Sequence, residues 1–178
     1  MDLCGTVPQF HGAFVIPFLP YGGGFFIRKM KTYSFAKLQA RWYPTMEEIA
    51  NPFIYGRVQN VVNVSELQYD VEMQRAFDEK GVSTKFLPLS ENDVDMGMSN
   101  IVETVKLLEN VDKAGMSSIV HCIGGDNRSR VVCECFHYRK CGFWPDDEYK
   151  GFRNHVEYNI ATGHLPSLTQ IEAALRPL

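Results

Sequence analysis

Residues 118–140 constrain this chain more than any other stretch. A strand-like run, Ser118-Ile119-Val120-His121-Cys122, is followed by Gly124-Gly125 and then by a helical segment from about Ser129 to Lys140. Strand, tight glycine turn and helix in that order bring the strand end and the first free amides of the helix to one point, which is how a backbone binds an anion. Such a unit needs a sheet to carry the strand and helices to cover it.

The text before and after supplies both. Residues 58–64 form a β-branched run ended by Ser65, 71–80 a short helix stopped by Gly81, and 82–89 a second strand. A polar loop is expected over 90–97. Ser99 then serves as cap for a helix with Ile101, Val105 and Leu108 at helical spacing, closed by Gly115. Two further helices are expected over 145–162 and 167–175. Strands alternating with helices predict an α/β domain with a central, mostly parallel sheet flanked by helices. A length of 178 residues with 45% apolar and 22% charged residues suits one domain with a full core. Residues 50–178 are expected to form it, and residues 1–49 an extension packed against it. The apolar stretch 10–26 is broken by Pro17, Pro20 and three glycines and lacks a cationic start, so it reads as neither a membrane span nor a leader.

A net charge of -3 removes the broad attraction that non-specific nucleic-acid binding uses, so an anionic ligand needs a local site. No membrane association is expected. Five cysteines without paired spacing suit a reducing compartment, and a cytoplasmic location is the expectation.

In the segment 121–129, His-Cys-Ile-Gly-Gly-Asp-Asn-Arg-Ser, each part has a chemical use. Converging amides, a helix N-terminus and a nearby guanidinium favour thiolate over thiol at Cys122, and the thiolate is the nucleophile. The same groups hold a phosphate dianion, with Arg128 offering a planar fork that lysine cannot. The pattern resembles the signature His-Cys-x-x-Gly-x-x-Arg-Ser/Thr of the protein tyrosine phosphatase superfamily, matched at His121, Cys122, Gly125, Arg128 and Ser129. Residues 61–65 and 86–93 are also similar to a strand and an acid-bearing loop of its dual-specificity members.

The resemblance implies a cysteine-phosphatase fold and a hydrolase that needs neither metal nor cofactor. Cys122 attacks phosphorus. The amides of Ile123, Gly124, Gly125, Asp126 and Asn127, with Arg128, bind the phosphoryl oxygens. Ser129 stabilises the departing thiolate, and His121 orients and acidifies Cys122. The leaving oxygen needs a proton from another segment. Asp93 is the first choice for that acid, Asp95 the second, and Glu91 is within reach of the same loop. Trp144-Pro145-Asp146 spells an acid motif of receptor-type members, but it follows the signature and reads as a helix start. Gln170 flanks the site by similarity or else lies on a helix surface.

Cys133 and Cys135, two apart on a helix, read as packing residues, with a resolving-thiol role as the alternative. Trp42 and Tyr43 are candidates for the pocket rim or for a packed edge. The expected substrate is a phosphorylated protein, phosphotyrosine first, or a small phosphomonoester. Asp126 inside the loop opposes polyphosphorylated head groups, because related phosphoinositide phosphatases carry basic residues there. A module that docks phosphorylated partners without turnover is the competing reading.

Overall fold

The structure, a computed structural model, describes residues 33–35, 37–90, 92–145 and 153–176. Its centre is a five-stranded sheet in the order β1-β2-β5-β3-β4. Strands β2 (Leu38–Arg41), β5 (Ser118–His121), β3 (Asn60–Asn63) and β4 (Ser83–Phe86) run parallel, and β1 (Tyr33–Phe35) pairs antiparallel with the outer edge of β2. The register aligns Arg41, His121, Asn63 and Phe86, so the carboxyl ends of all four parallel strands form one edge. In open parallel sheets, ligands bind outside that edge.

Side chains alternate across the sheet and split the core in two. Val62, Val64, Val120 and Cys122 face one way, into a core with helices α4 (Val94–Lys113), α5 (Arg128–Cys141), α6 (Arg153–Ala161) and α7 (Leu168–Leu175). Val61 and Ile119 face the other way, onto α1 (Met46–Ala50), α2 (Pro52–Tyr55) and α3 (Val71–Glu79), where Ile49, Tyr55, Met73 and Phe77 are buried. The parallel α/β sandwich expected from the alternation is therefore the fold observed.

Two expectations change. The division at residues 49 and 50 does not fall at an edge of the fold, because Leu38–Arg41 hydrogen-bonds along the whole of β5 and buries Leu38 and Ala40. Removing that strand would expose one flank of the central strand. Helix α4 starts at Val94 rather than after Ser99: the Asp93 carboxylate accepts a hydrogen bond from the Met96 amide at 2.9 Å, and Asp95 adds a negative charge in the first turn. An aspartate caps as well as a serine, so the earlier cap prevails and the expected loop is shorter. The apolar stretch 10–26 lies outside the described residues.

Candidate active site

The signature loop leaves β5 between the ends of β2 and β3. Val64 donates its amide to the carbonyl of His121 at 2.9 Å, and Tyr43 donates its own to the carbonyl of Ile123 at 3.0 Å. Gly125 then passes so close to β2 that a Cβ would stand 2.6 Å from the Trp42 nitrogen and 2.7 Å from the Arg41 carbonyl carbon, with φ at +72°. Only glycine satisfies both the close approach and the left-handed backbone. Bent in this way, the loop directs the Gly125 amide onto Cys122 Sγ at 3.2 Å. Ser129 Oγ, in the first turn of α5, lies 3.5 Å from the same sulfur. Cys122 is 3% exposed, at the bottom of the turn.

Arg128 follows the loop and is held from two other strand ends. Its Nη1 donates to the carbonyl of Leu89 at 3.4 Å and lies 3.8 Å from Glu66 Oε2. Leu89 belongs to the connection between β4 and α4, so this contact brings that connection against the phosphate loop. Asp93 stands four residues further on, exposed, with its carboxylate capping α4; Asp95 is exposed in the first turn of the helix, and Glu91 lies outside the described residues. Asp126 is 65% exposed and pairs with Arg130 Nη2 at 3.5 Å. Arg130 also donates to the carbonyl of Gly125 at 3.3 Å, which ties the loop to its own helix.

His121 lies beneath the loop. It is fully buried, edge-on to Tyr43, with Nε2 against the Tyr69 hydroxyl and Nδ1 3.4 Å from the carbonyl oxygen of Cys122. Burial pushes its pKa down to about 4, so the ring is neutral at pH 7. Its place at the strand end and its contact with the Cys122 carbonyl suit the orienting part of the expected role.

Other residues singled out in the sequence have structural uses. Gln170 closes a capping box on α7, accepting from the Ser167 amide at 3.0 Å and its hydroxyl at 2.7 Å. Trp144 stacks on Tyr138 at 4.6 Å and donates to Glu172 at 2.7 Å, which pins it between α5 and α7; Asp146 lies outside the described residues. Trp42 donates to Glu48 at 3.1 Å beneath the Arg41 guanidinium, and the Tyr43 hydroxyl donates to the carbonyl of Gln68 at 2.9 Å, so both belong to a packed edge. Cys133 and Cys135 are wholly buried, and desolvation raises the pKa of each, holding both as thiols.

Sequence reasoning missed Glu66, Tyr69, Glu134 and Asn159. Glu134 is fully buried in α5, where Oε2 accepts the Val156 amide at 2.9 Å and Oε1 meets His155 Nδ1 at 3.1 Å. Desolvation pushes Glu134 up to about 9 and His155 down to about 4, so burial opposes a charge on either partner. These residues reach the loop only through tertiary contacts, and no local spacing announces them. Among the described residues no group of three or more His, Cys, Asp or Glu is placed to hold a metal ion, and no helix is long and apolar enough to cross a membrane.

Scans of family models and of curated proteins give no match to this chain. Solved structures do match. TpbA of P. aeruginosa superposes with a TM-score of 0.56 at 16% identity, over 79% of this chain and 87% of that one. Tk-PTP in its active form gives 0.53 at 17% identity, over 78% and 88%. The catalytic core of the PP-IP phosphatase Siw14 of S. cerevisiae gives 0.52 at 12% identity, over 80% and 82%. At these identities the likeness speaks of the fold. This chain shares the fold of these solved structures, with its signature loop at the carboxyl edge of the four parallel strands.

Proposed function

We propose that this chain is a cysteine-dependent phosphatase that hydrolyses phosphomonoesters, with phosphotyrosine in proteins as its preferred ester and phosphoserine or phosphothreonine as secondary ones. The observation that carries the reading is the cradle around Cys122 Sγ, a loop amide at 3.2 Å and the Ser129 hydroxyl at 3.5 Å, with Arg128 beside it. Buried packing alone needs no such set of donors, whereas a thiolate nucleophile does.

In the first step the Cys122 thiolate attacks phosphorus, the P–O bond to the leaving group breaks, and Asp93 delivers its carboxyl proton to that oxygen. Arg128 and the amides of residues 123–127 hold the three non-bridging oxygens throughout. In the second step water attacks the thiophosphoryl group, the Asp93 carboxylate takes its proton, and Ser129 donates a hydrogen bond to the departing thiolate. Leaving the α4 cap frees Asp93 for both transfers. Losing that cap costs about 1 kcal/mol, small beside a general-acid effect of about 10²- to 10⁴-fold.

Charge around the loop supports monoesters over polyphosphates. Beyond Arg128, the nearby cations are engaged, Arg41 with Glu48 and Arg130 with Asp126, while Glu66 and Asp126 are exposed. A second phosphate on a ring scaffold finds these arginines already engaged by carboxylates. Ile123, 48% exposed in the loop, and Leu67, 53% exposed after β3, add apolar surface suited to an aromatic ester. A panel of phosphotyrosine peptide, phosphoserine peptide, nucleotide and polyphosphoinositide tests the reading. The expected order has the phosphotyrosine peptide first and the polyphosphoinositide last. Saturable binding of the phosphopeptide with no release of phosphate would replace the enzyme by a docking module.

A further inference from the structure

Asn127 occupies the N-cap position of α5, where an asparagine ordinarily accepts a hydrogen bond from its own helix, yet its side chain makes none. Its backbone is unusual for a cap, with φ at -121° and ψ at -83°. The carboxamide is instead used across a gap of 32 residues: Asn159 Nδ2 donates to Asn127 Oδ1 at 2.6 Å, and Asn127 Nδ2 donates to Asn159 Oδ1 at 3.3 Å. Asn159 is 4% exposed, and its second amide proton goes to the carbonyl of His155 at 2.7 Å. That bond fixes which way the amide points, since a flip would set Oδ1 against a carbonyl oxygen.

Resting on the phosphatase reading above, we propose that Asn159 is a positioning residue of the phosphate loop. Its carboxamide holds Asn127, the residue from which Arg128 is presented. Asn159 can do this only if α6 is itself anchored, and Glu134 anchors it. The buried Glu134 carboxyl takes the Val156 amide and meets His155, clasping the start of α6 to α5 two turns beyond Asn127. Two polar clasps about 10 Å apart along α5 therefore bracket α6, and one of them ends on the loop. The Asn127 carbonyl meanwhile accepts the amides of Arg130 at 2.9 Å and Val131 at 3.0 Å, so rotation of Asn127 reorients the first turn that carries Arg128. Without Asn159, Asn127 is free to turn its side chain back onto α5 as an ordinary cap. Displacement of the Arg128 fork by about 1 Å costs on the order of 10²-fold in rate.

The test uses the full chain, with Asn159→Leu, Asn127→Ser and the double variant, and two readouts: kcat and KM for an aryl phosphate, and calorimetric affinity for tungstate as a phosphate mimic. Each single variant is expected to weaken tungstate binding about tenfold and lower kcat 10- to 100-fold. The double variant should be no worse than the poorer single, because both remove one interaction. Unchanged tungstate affinity in the variants, or losses that multiply in the double variant, would overturn the proposal. Should Asn159→Leu not fold, Asn127→Ser, at a partly buried position, carries the test. It must show the losses alone, and adding Asn159→Ala must not deepen them. Failure of the wild-type protein to turn over any phosphomonoester would overturn the phosphatase reading, while the tungstate arm would still decide the role of Asn159.

Discussion

Replacing Glu134 by glutamine removes a buried acid while keeping its shape, and the consequence can be worked out from the structure. Desolvation raises the carboxyl to about 9, from an ordinary value near 4.5 in the unfolded chain. The folded state therefore keeps a proton that the unfolded state releases. This contribution to stability is fully present below about 4.5 and is lost as pH rises through 9. Each pH unit in that window costs about 1.4 kcal/mol, so the step from pH 6.5 to 8.5 costs on the order of 3 kcal/mol. His121 and His155 act in the opposite sense, since burial lowers both to about 4. Their stabilisation is complete above about 6.5 and is lost as pH falls, so neither contributes to the slope on the alkaline side.

Urea unfolding at pH 6.5, 7.5 and 8.5 under reducing conditions reads the difference. The wild-type protein should lose about 3 kcal/mol across the series, a large share of the 5–15 kcal/mol typical of a domain. Glu134→Gln should keep only the small slope of the buried Cys133 and Cys135 thiols, because its amide donates to His155 Nδ1 and its oxygen accepts from Val156 just as the neutral acid does. Parallel slopes for the two proteins would refute the buried neutral pair.

Three further outcomes bear on the site. Arg128→Lys should lower kcat/KM by at least about 10²-fold while leaving the fold intact, because charge remains but the two-pronged grip is lost; a rate near wild type would make Arg128 structural. Asp93→Asn should slow esters of poor leaving groups by about 10²- to 10⁴-fold and spare good ones, with one limb of the pH–rate profile flattened. If Asp95→Asn shows that pattern instead, the acid lies two residues further on. Asp126→Lys should narrow the gap between phosphotyrosine peptide and polyphosphoinositide in a competition assay, and an unchanged ratio would remove Asp126 from the specificity argument.

The parallel sheet is legible in the β-branched runs around Val61, Val62, Ile119 and Val120, which are buried on both faces and so carry no polar alternation. Strand β2 is not legible, because Leu-Gln-Ala-Arg offers only Leu38 and Ala40 as apolar residues, and its strand character comes from pairing with β5. The start of α4 is hidden by a polar run in which Asp93 and Ser99 are equally good caps; tertiary packing of Gly97 and Ile101 selects the earlier one. At the site, Cys122, Arg128 and Ser129 are readable because a single loop carries them in fixed spacing. The groups that hold this loop in place, the Leu89 carbonyl, Glu66, Tyr69 and Asn159, come from three other segments, and contiguous spacing cannot encode such contacts. The charge state of His121 was likewise unreadable, since it depends on burial beneath Tyr43 and Tyr69.

The central claim is that Cys122 forms a covalent bond to phosphorus during turnover. Rapid acid quenching of the protein with an aryl phosphate, followed by mass spectrometry of the peptide spanning the signature loop, tests it directly. The account predicts a phosphoryl adduct on Cys122 that appears within the first turnover, accumulates further in Asp93→Asn with a good leaving group, and is absent, together with turnover, in Cys122→Ser. Steady phosphate release with no adduct on Cys122, or undiminished release by Cys122→Ser, would contradict it.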